Sequence, residues 1–336
     1  MSTTWPTFSV IIAARPEQAI IRSLQAVEQL EYPRDRLEVL VVRGRHPSMQ
    51  RNTALRQASG ELVYFLDDDA EPLPTNLQRA AAWFFKDPKL EAVGGPNLCP
   101  TDAPELEQVF ALVLRSWLAF GPSRARYAPI GPPRLTSEKA LILCNLAARR
   151  QTLLELGGFD ERLYPNEENA LLDAIQRRGG RLWYDPELVV YRRPRPDVRA
   201  FTRMLLTYGR GRAEQFRRLP TWGSALNFVP PLFLVYLGAL AMSAPWGGWP
   251  GGAWKGLGWL PLGAYALLLT LQTMQLAAWQ PWRRVWRVAL LTMLAHGAYG
   301  AGFWYGCLTR LRPPLAETAR EIRVEIVRSA NPQGKS

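Results

Sequence analysis

Three carboxylates in a row, Asp67, Asp68 and Asp69, directly follow the apolar run Leu62-Val63-Tyr64-Phe65-Leu66. That run reads as a buried strand, and charged groups resist burial unless paired, so the strand must end where the carboxylates begin. Carboxylates massed at the end of a buried strand point to a metal site. Far downstream the chain changes character: between Arg218 and Arg283 the only charge is Lys255. These two features together predict a catalytic domain followed by a membrane anchor.

The length of 336 residues accommodates that division, since a globular domain of about 200 residues leaves room for a second unit. The net charge of +12 and the pI near 10.0 come mostly from arginine, the only lysines being Lys86, Lys89, Lys139, Lys255 and Lys335. A basic chain suits nucleic acid or anionic lipid. The thirteen tryptophans and the 48% apolar content favour anionic membrane lipids, because Trp and Tyr collect at bilayer interfaces; no nucleic acid partner is expected. Cys99, Cys144 and Cys307 lack paired spacing, and His46 and His296 are the only histidines. Neither a disulfide framework nor a zinc site is expected, and a reducing compartment is compatible. The N-terminus, Ser2 to Pro6, does not lead from a basic region into an apolar core, so no signal peptide is expected.

Phe8–Ala14 is a short apolar run rich in β-branched residues and reads as a buried parallel strand, followed by helical spacing over 17–30 and a second strand over 37–42. A helix over 48–58 then precedes the strand 61–66. Strands and helices thus alternate as in a doubly wound, mostly parallel, Rossmann-like α/β sheet, in which ligands sit at the carboxyl ends of the strands. Leu106, Val109, Phe110, Val113 and Trp117 recur at helical spacing, with Leu112 and Leu118 making the segment apolar nearly all round; it is a core helix or one at a membrane surface. Residues 197–216 interleave Arg199, Arg203, Arg210 and Arg212 with Phe201, Leu205 and Tyr208. This is the pattern of an interfacial helix bedded among anionic headgroups, an ordinary solvated helix being the alternative.

Residues 226–244, 257–279 and 288–308 carry no formal charge, and each reaches the roughly 20 residues needed to cross a bilayer. Arg217 and Arg218 place the start of the first span inside; the loop with Lys255 then lies outside, and Arg283, Arg284 and Arg287 lie inside again. A third crossing would put Arg310, Arg312 and the tail outside, against the same rule. Either the third segment does not cross or the rule fails here. Glycines 297, 300, 302 and 306 would let it pack closely on other helices. The expected division is a catalytic domain over 1–218, a membrane region over 219–310 and a basic cytoplasmic tail over 311–336.

Several stretches fall in a telling order: FSVIIAA at 8–14, YPRDRLEVLVV at 32–42, Arg51-Asn52, GELVYFLDDDAEP at 60–72, GGFDE at 157–161, NEEN at 166–169 and YGRGR at 208–212. Together they resemble family 2 glycosyltransferases of the GT-A fold, in particular a bacterial membrane-attached branch similar to succinoglycan-type enzymes. The resemblance covers about residues 8 to 216 and, more loosely, the apolar tail. It implies a nucleotide-sugar donor and a Mg²⁺ or Mn²⁺ ion. Asp67 and Asp69 fit the family's Asp-x-Asp motif, with Asp69 on the metal and Asp67 nearer the ribose or base; Asp68 completes the donor-side run. The bland alternative is a solvated turn of three aspartates capping the next helix.

An attacking hydroxyl must lose a proton to a carboxylate within reach. The resemblance maps that base to Glu168, with Glu167 as its neighbour; both also suit the first turn of a helix, where the dipole favours acids. The usual third acid of this motif is replaced by Ala170. Ala13, Arg15 and Glu17 stand at and after the end of the first strand, where the family binds the nucleotide, and Arg51 and Asn52 begin a helix that faces the phosphates. Many relatives carry an acidic, base-reading stretch after the second strand, but here Val42 is followed by Arg43-Gly44-Arg45. Arg210 and Arg212 lie where processive relatives hold the donor diphosphate, headgroup contact being the alternative. Asn145 either lines the acceptor side or is a buried structural amide. His46 reads as a loop residue and His296 as a bundle hydrogen-bonder, although an ionisable group at membrane depth invites functional suspicion.

The expected activity is inverting transfer of a sugar from a nucleoside diphosphate to a lipid or lipid-linked acceptor, such as a polyprenyl-linked saccharide, in cell-envelope or exopolysaccharide synthesis. The expected place is the bacterial inner membrane, with the catalytic domain cytoplasmic. Two rivals are transfer directly to a polyprenyl phosphate, which needs no base, and a catalytically silent membrane scaffold. The oligomeric state is not legible in these residues.

Overall fold

A computed structural model describes residues 5–163, 165–220, 222–243, 256–311 and 322–329, with the side chains of 222–224 left aside. The chain divides into two compact units. One comprises Met1–Ala103, Pro122–Arg193 and Arg312–Ser336, the other Pro104–Gly121 and Pro194–Leu311.

The first unit is built on β1 (Phe8–Ala14), β2 (Leu37–Arg43) and β3 (Leu62–Asp67). Their side chains alternate between two cores. Val10, Ile12, Val39, Val41, Tyr64 and Leu66 enter one cluster, while Ile11, Leu40, Val42, Val63 and Phe65 enter the other. Burial on both faces explains why these runs are continuously apolar rather than alternating. β2 and β3 flank β1 in parallel, and the register sets Ala13 opposite Asp67. The two-residue strands β4 (Glu71–Pro72) and β6 (Asn97–Leu98) stand apart from this sheet, while β5 (Leu90–Gly94), β7 (Arg134–Leu135), β8 (Leu146–Arg149) and β9 (Arg181–Tyr184) belong to it. β8 is antiparallel to both β3 and β5, so the sheet is mixed. A second, three-stranded sheet has β10 (Val190–Tyr191) between β4 and β6.

Around these strands lie α1 (Arg22–Val27), α2 (Pro47–Gln57), α3 (Asn76–Lys86), α6 (Arg150–Glu155) and α7 (Glu167–Arg177). The Gln50 side chain of α2 donates to Ala14 O at 2.8 Å and Val42 O at 2.6 Å. It ties the helix start to the carboxyl ends of β1 and β2, giving their last carbonyls a side-chain donor.

A strand no sequence pattern announced closes the other edge. β11 (Arg323–Arg328) pairs antiparallel with β2, Val324 opposite Val42 and Ile326 opposite Leu40. Residues 311–336 were expected as a basic tail; over 323–328 they are a sheet edge instead. Ile322 and Val324 pack against the core while Arg323, Glu325 and Arg328 alternate with apolar residues, the habit of an edge strand.

The second unit contains α4 (Glu105–Leu114), α5 (Trp117–Phe120), α8 (Val198–Arg218), α9 (Val229–Ser243), α10 (Leu260–Ala277) and α11 (Trp282–Leu308). The arginine-rich helix α8 thus belongs with the apolar helices rather than with the sheet unit that the expected 1–218 boundary assigned it to. Phe110 of α4 stacks on Phe201 of α8 with ring centroids 4.3 Å apart. Among the described residues two helices are long and apolar enough to cross a membrane: Ala225–Ser243, with a mean hydropathy of 1.8, and Leu257–Ala277, with 1.3. Leu232, Val235, Leu267, Leu271 and Met274 on them are exposed, as lipid-facing residues would be. The third expected span, 288–308, is the continuation of a 27-residue helix that starts with Arg283, Arg284 and Arg287 and lies along α8. A Cβ on Gly302 would stand 2.1 Å from Leu206 O, and one on Gly209 2.0 Å from Tyr299 O. Small residues let these two backbones touch. α11 thus packs one face closely on α8 while Leu290, Met293 and Tyr305 stay exposed on it.

Candidate active site

The loop that opens the site follows β1. Arg15 and Glu17 are exposed, Glu17 pairing with Arg45. Arg43, where an acidic residue was looked for, turns to the same loop: Nη1 donates to Gln18 O at 2.8 Å and Nε to Glu325 Oε1 at 2.9 Å. Its counter-ion thus comes from β11.

At the end of β3, Asp67 is held between two guanidinium groups. Arg51 Nη2 lies 2.9 Å from Asp67 Oδ1, and Arg192 Nη1 lies 2.8 Å from Asp67 Oδ2. Arg192 also reaches Asp69, with Nε 2.6 Å from Oδ1. Backbone pairing brings it close: Tyr191 is in register with Glu71, and Arg192 directly follows β10 as Glu71 follows the carboxylate turn. Burial, followed by its neighbours Asp69 and Asp67, raises the Asp68 carboxyl above the usual range, against a hydrogen bond from Gln18 and the charge of Arg192.

Arg51 is the bridge to the second carboxylate pair. Its Nη1 donates to Glu167 Oε1 at 3.0 Å. Asn166, at φ 95°, turns the chain into α7; asparagine is one of the few side chains that accept this left-handed geometry. Glu167 points inward and Glu168 is more open, with 4% and 13% of their side chains exposed. Burial, then the Glu168 charge, pushes the Glu167 carboxyl up to about 7 despite Arg51. Its Oε2 is buried without a hydrogen bond. Glu168 Oε1 accepts from Arg126 Nη1 at 3.4 Å and from Asn169 Nδ2 at 3.3 Å. Arg126 is itself anchored on Glu138 O and Lys139 O, at 2.6 and 2.9 Å.

The fold thus gathers Ala13, Arg51, Asp67, Asp68, Asp69, Glu167 and Glu168, and assigns other expected residues different work. Asn52 does not face phosphates: its Nδ2 donates to Phe159 O at 2.8 Å and Glu161 Oε1 at 2.9 Å, while Phe159 N donates to its Oδ1 at 2.8 Å. It clamps the GGFDE turn, and a Cβ on Gly158, at φ 77°, would stand 2.4 Å from Asn52 Oδ1. Asn145 is fully buried, accepting from Tyr64 Oη at 2.6 Å and donating to Leu188 O at 2.6 Å, which withdraws it from the acceptor side. Arg210 and Arg212 belong to the second unit, where Arg210 Nε donates to Glu214 Oε1 at 2.7 Å and Arg212 Nη1 to Gln215 Oε1 at 3.1 Å. Arg192 and Arg126 escaped the sequence reading because nothing local separates them from the many other arginines.

The donor set suits a hard divalent ion. Asp67 and Asp69 offer carboxylate oxygens, and buried Asp69 Oδ1 accepts no aligned hydrogen bond. No group of three or more His, Cys, Asp or Glu among the described residues could hold an ion alone.

Residues 18–127 match the model of glycosyl transferase family 2. Over that stretch the chain is similar to family 2 glycosyltransferases. It is 30% identical over 176 residues to the pre-mycofactocin glycosyltransferase of Mycobacterium tuberculosis, covering 52% of this chain and 36% of that protein. It is 23% identical over 241 residues to the probable glycosyltransferase YdaM of Bacillus subtilis, covering 61% and 55%. The chain therefore spans about a third to a half of these relatives' lengths. Among solved structures, the mannosyltransferase PcManGT of Pyrobaculum calidifontis, in complex with GDP-Man and Mn²⁺, superposes with a TM-score of 0.57 at 23% identity, over 91% of this chain and 88% of that one. That likeness establishes the GT-A arrangement of the fold.

Proposed function

We propose that this chain is an inverting glycosyltransferase that moves a sugar from a nucleoside diphosphate to an acceptor held at a membrane. The observation that carries the reading is the Arg51 bridge, which links the donor-side Asp67 to the acid pair through contacts of 2.9 and 3.0 Å. Donor and acceptor chemistry need their charged groups within one small volume, and a single buried guanidinium unites them here. Glu168, more open than Glu167 and steadied by Arg126, takes the proton of the acceptor hydroxyl. Glu167 holds Arg51 in place. A Mg²⁺ or Mn²⁺ ion on Asp69 and Asp67 would offset the charge that builds on the departing diphosphate. The loop of Arg15 and Glu17 and the end of β1 at Ala13 form the nucleotide side.

The two exposed apolar helices support a membrane-held acceptor, a polyprenyl-linked saccharide or another lipid. β11 pairs with β2, so the chain before and after these helices lies on one side of any bilayer, and the crossings between must be even in number. Ala225–Ser243 and Leu257–Ala277 supply two. This removes the conflict of a third span with the positive flanks. The bacterial inner membrane, with the sheet on the cytoplasmic face, is the placement we propose.

The test is binding of a panel of nucleotide sugars to the full chain in detergent, with Mn²⁺ or Mg²⁺ and with chelator, comparing Asp69→Ala. Metal-dependent binding of one donor, lost in the variant, is the expected outcome. Failure of every donor to bind with metal present would point to a silent scaffold instead.

A further inference from the structure

The guanidinium of Arg192 contacts the same two carboxylates that the proposed reading gives to a divalent ion, 2.8 Å from Asp67 Oδ2 and 2.6 Å from Asp69 Oδ1. Resting on that reading, we propose that Arg192 is a tethered counter-cation: it neutralises the Asp67–Asp69 pair while no ion is bound, yields to the ion, and passes to the diphosphate of the donor.

The two arginines on Asp67 are built differently. Arg51 is fixed at both ends of its fork, by Asp67 and by Glu167, with 8% of its side chain exposed. Arg192 has 21% exposed. Its backbone is anchored, the amide donating to Leu98 O at 2.9 Å, so a change of place falls to its flexible side chain. A guanidinium cannot leave by losing its proton, because it stays charged at any ordinary pH. Two cations drawn to one carboxylate pair compete, and the displaced fork requires another anion. A diphosphate presents oxygens in the spacing that a guanidinium fork matches. Ion and nucleotide should therefore bind cooperatively, each favouring the other by the same factor.

The test reads Mn²⁺ binding directly, from the electron paramagnetic resonance signal of free Mn²⁺, with the full chain in detergent. Titrations are made alone and with UDP or GDP, on wild type, Arg192→Gln and Arg192→Lys. Loss of a charge-assisted contact commonly changes an equilibrium constant by about tenfold or more. Arg192→Gln is accordingly expected to bind Mn²⁺ alone about tenfold more tightly than wild type, and to gain less from the nucleotide. Arg192→Lys, which keeps the charge, should stay near wild type and controls for folding. Unchanged or weaker Mn²⁺ binding in a folded Arg192→Gln protein would overturn the proposal and leave the transferase reading standing. Absence of Mn²⁺ binding in wild type and variant alike, even with nucleotide, would overturn both.

Discussion

At the carboxyl edge of the sheet, arginines are drawn in among acids: Arg51, Arg126 and Arg192 each contact one or two carboxylates from other segments of the chain. In the second unit, Arg210 pairs with Glu214 one turn away on its own helix, and Arg217 donates to Gly306 O and Thr309 O, at 2.9 and 2.6 Å, at the end of α11. The glycines differ in the same way. Gly158 makes room for a side-chain amide, whereas Gly209 and Gly302 make room for another helix backbone. One residue type thus serves electrostatics in one region and close packing in the other. What separates the glycines is whether a side chain or a backbone fills the space they leave.

The sharpest way to break this contrast is to remove charge from the first region and ask whether chemistry alone is lost. Glu168→Gln keeps shape and most hydrogen bonding but cannot accept the acceptor's proton. A general base contributes about 10²- to 10⁴-fold, so kcat should fall by that factor while the donor Kd stays near wild type. A variant that retains nearly full activity would select direct transfer to a polyprenyl phosphate, whose acceptor is already ionised. An equal loss of donor binding would place Glu168 on the donor side.

A pair of substitutions sharpens the contrast in packing. Gly302→Leu drives a side chain into Leu206 O, and forced overpacking of this kind costs about 3 kcal/mol. Asn52→Ala removes the clamp on Phe159 and leaves a buried backbone amide unpaired, for a loss of about 2 kcal/mol. The first should disturb helix packing in detergent and spare nucleotide binding. The second should do the reverse, weakening metal-dependent donor binding because the GGFDE turn leads into Glu167 and Glu168. Equal damage to donor binding from both would dissolve the distinction between the regions.

What could be read from sequence follows the same division. The strands around β1 and β3 were legible because burial on both faces leaves an unbroken apolar run, and the carboxylates because they end one. The two apolar helices were legible from their lack of charge. Asn52, Asn145 and Arg210 kept their predicted positions in the chain and acquired different partners, since a motif fixes where a residue stands but not what arrives beside it. α11 was read as a span because its last 21 residues are uncharged, and only its closeness to α8 shows what that apolar surface covers. β11 was missed because a six-residue edge strand with three charges has little apolar content of its own.

That strand allows the smallest of these tests and the one that joins the regions, since it follows the helices in sequence and returns to the sheet. Glu325 is half exposed and pairs with Arg43 at 2.9 Å. An exposed pair of this kind contributes less than about 1 kcal/mol, so Glu325→Ala should leave the unfolding midpoint almost unchanged. Its effect on the nucleotide loop is a separate matter. Arg43 holds Gln18 O at 2.8 Å, and Gln18 in turn steadies Asp68, so releasing Arg43 from Glu325 should loosen the nucleotide side without touching the metal carboxylates. The expected signature is a severalfold weaker donor Kd with unchanged Mn²⁺ affinity in the absence of nucleotide. A midpoint shifted by several degrees would instead make β11 a structural strap whose main contribution is its ladder on β2. Equal donor affinity in both proteins would confine the carboxylate of Glu325 to charge balance at the sheet edge.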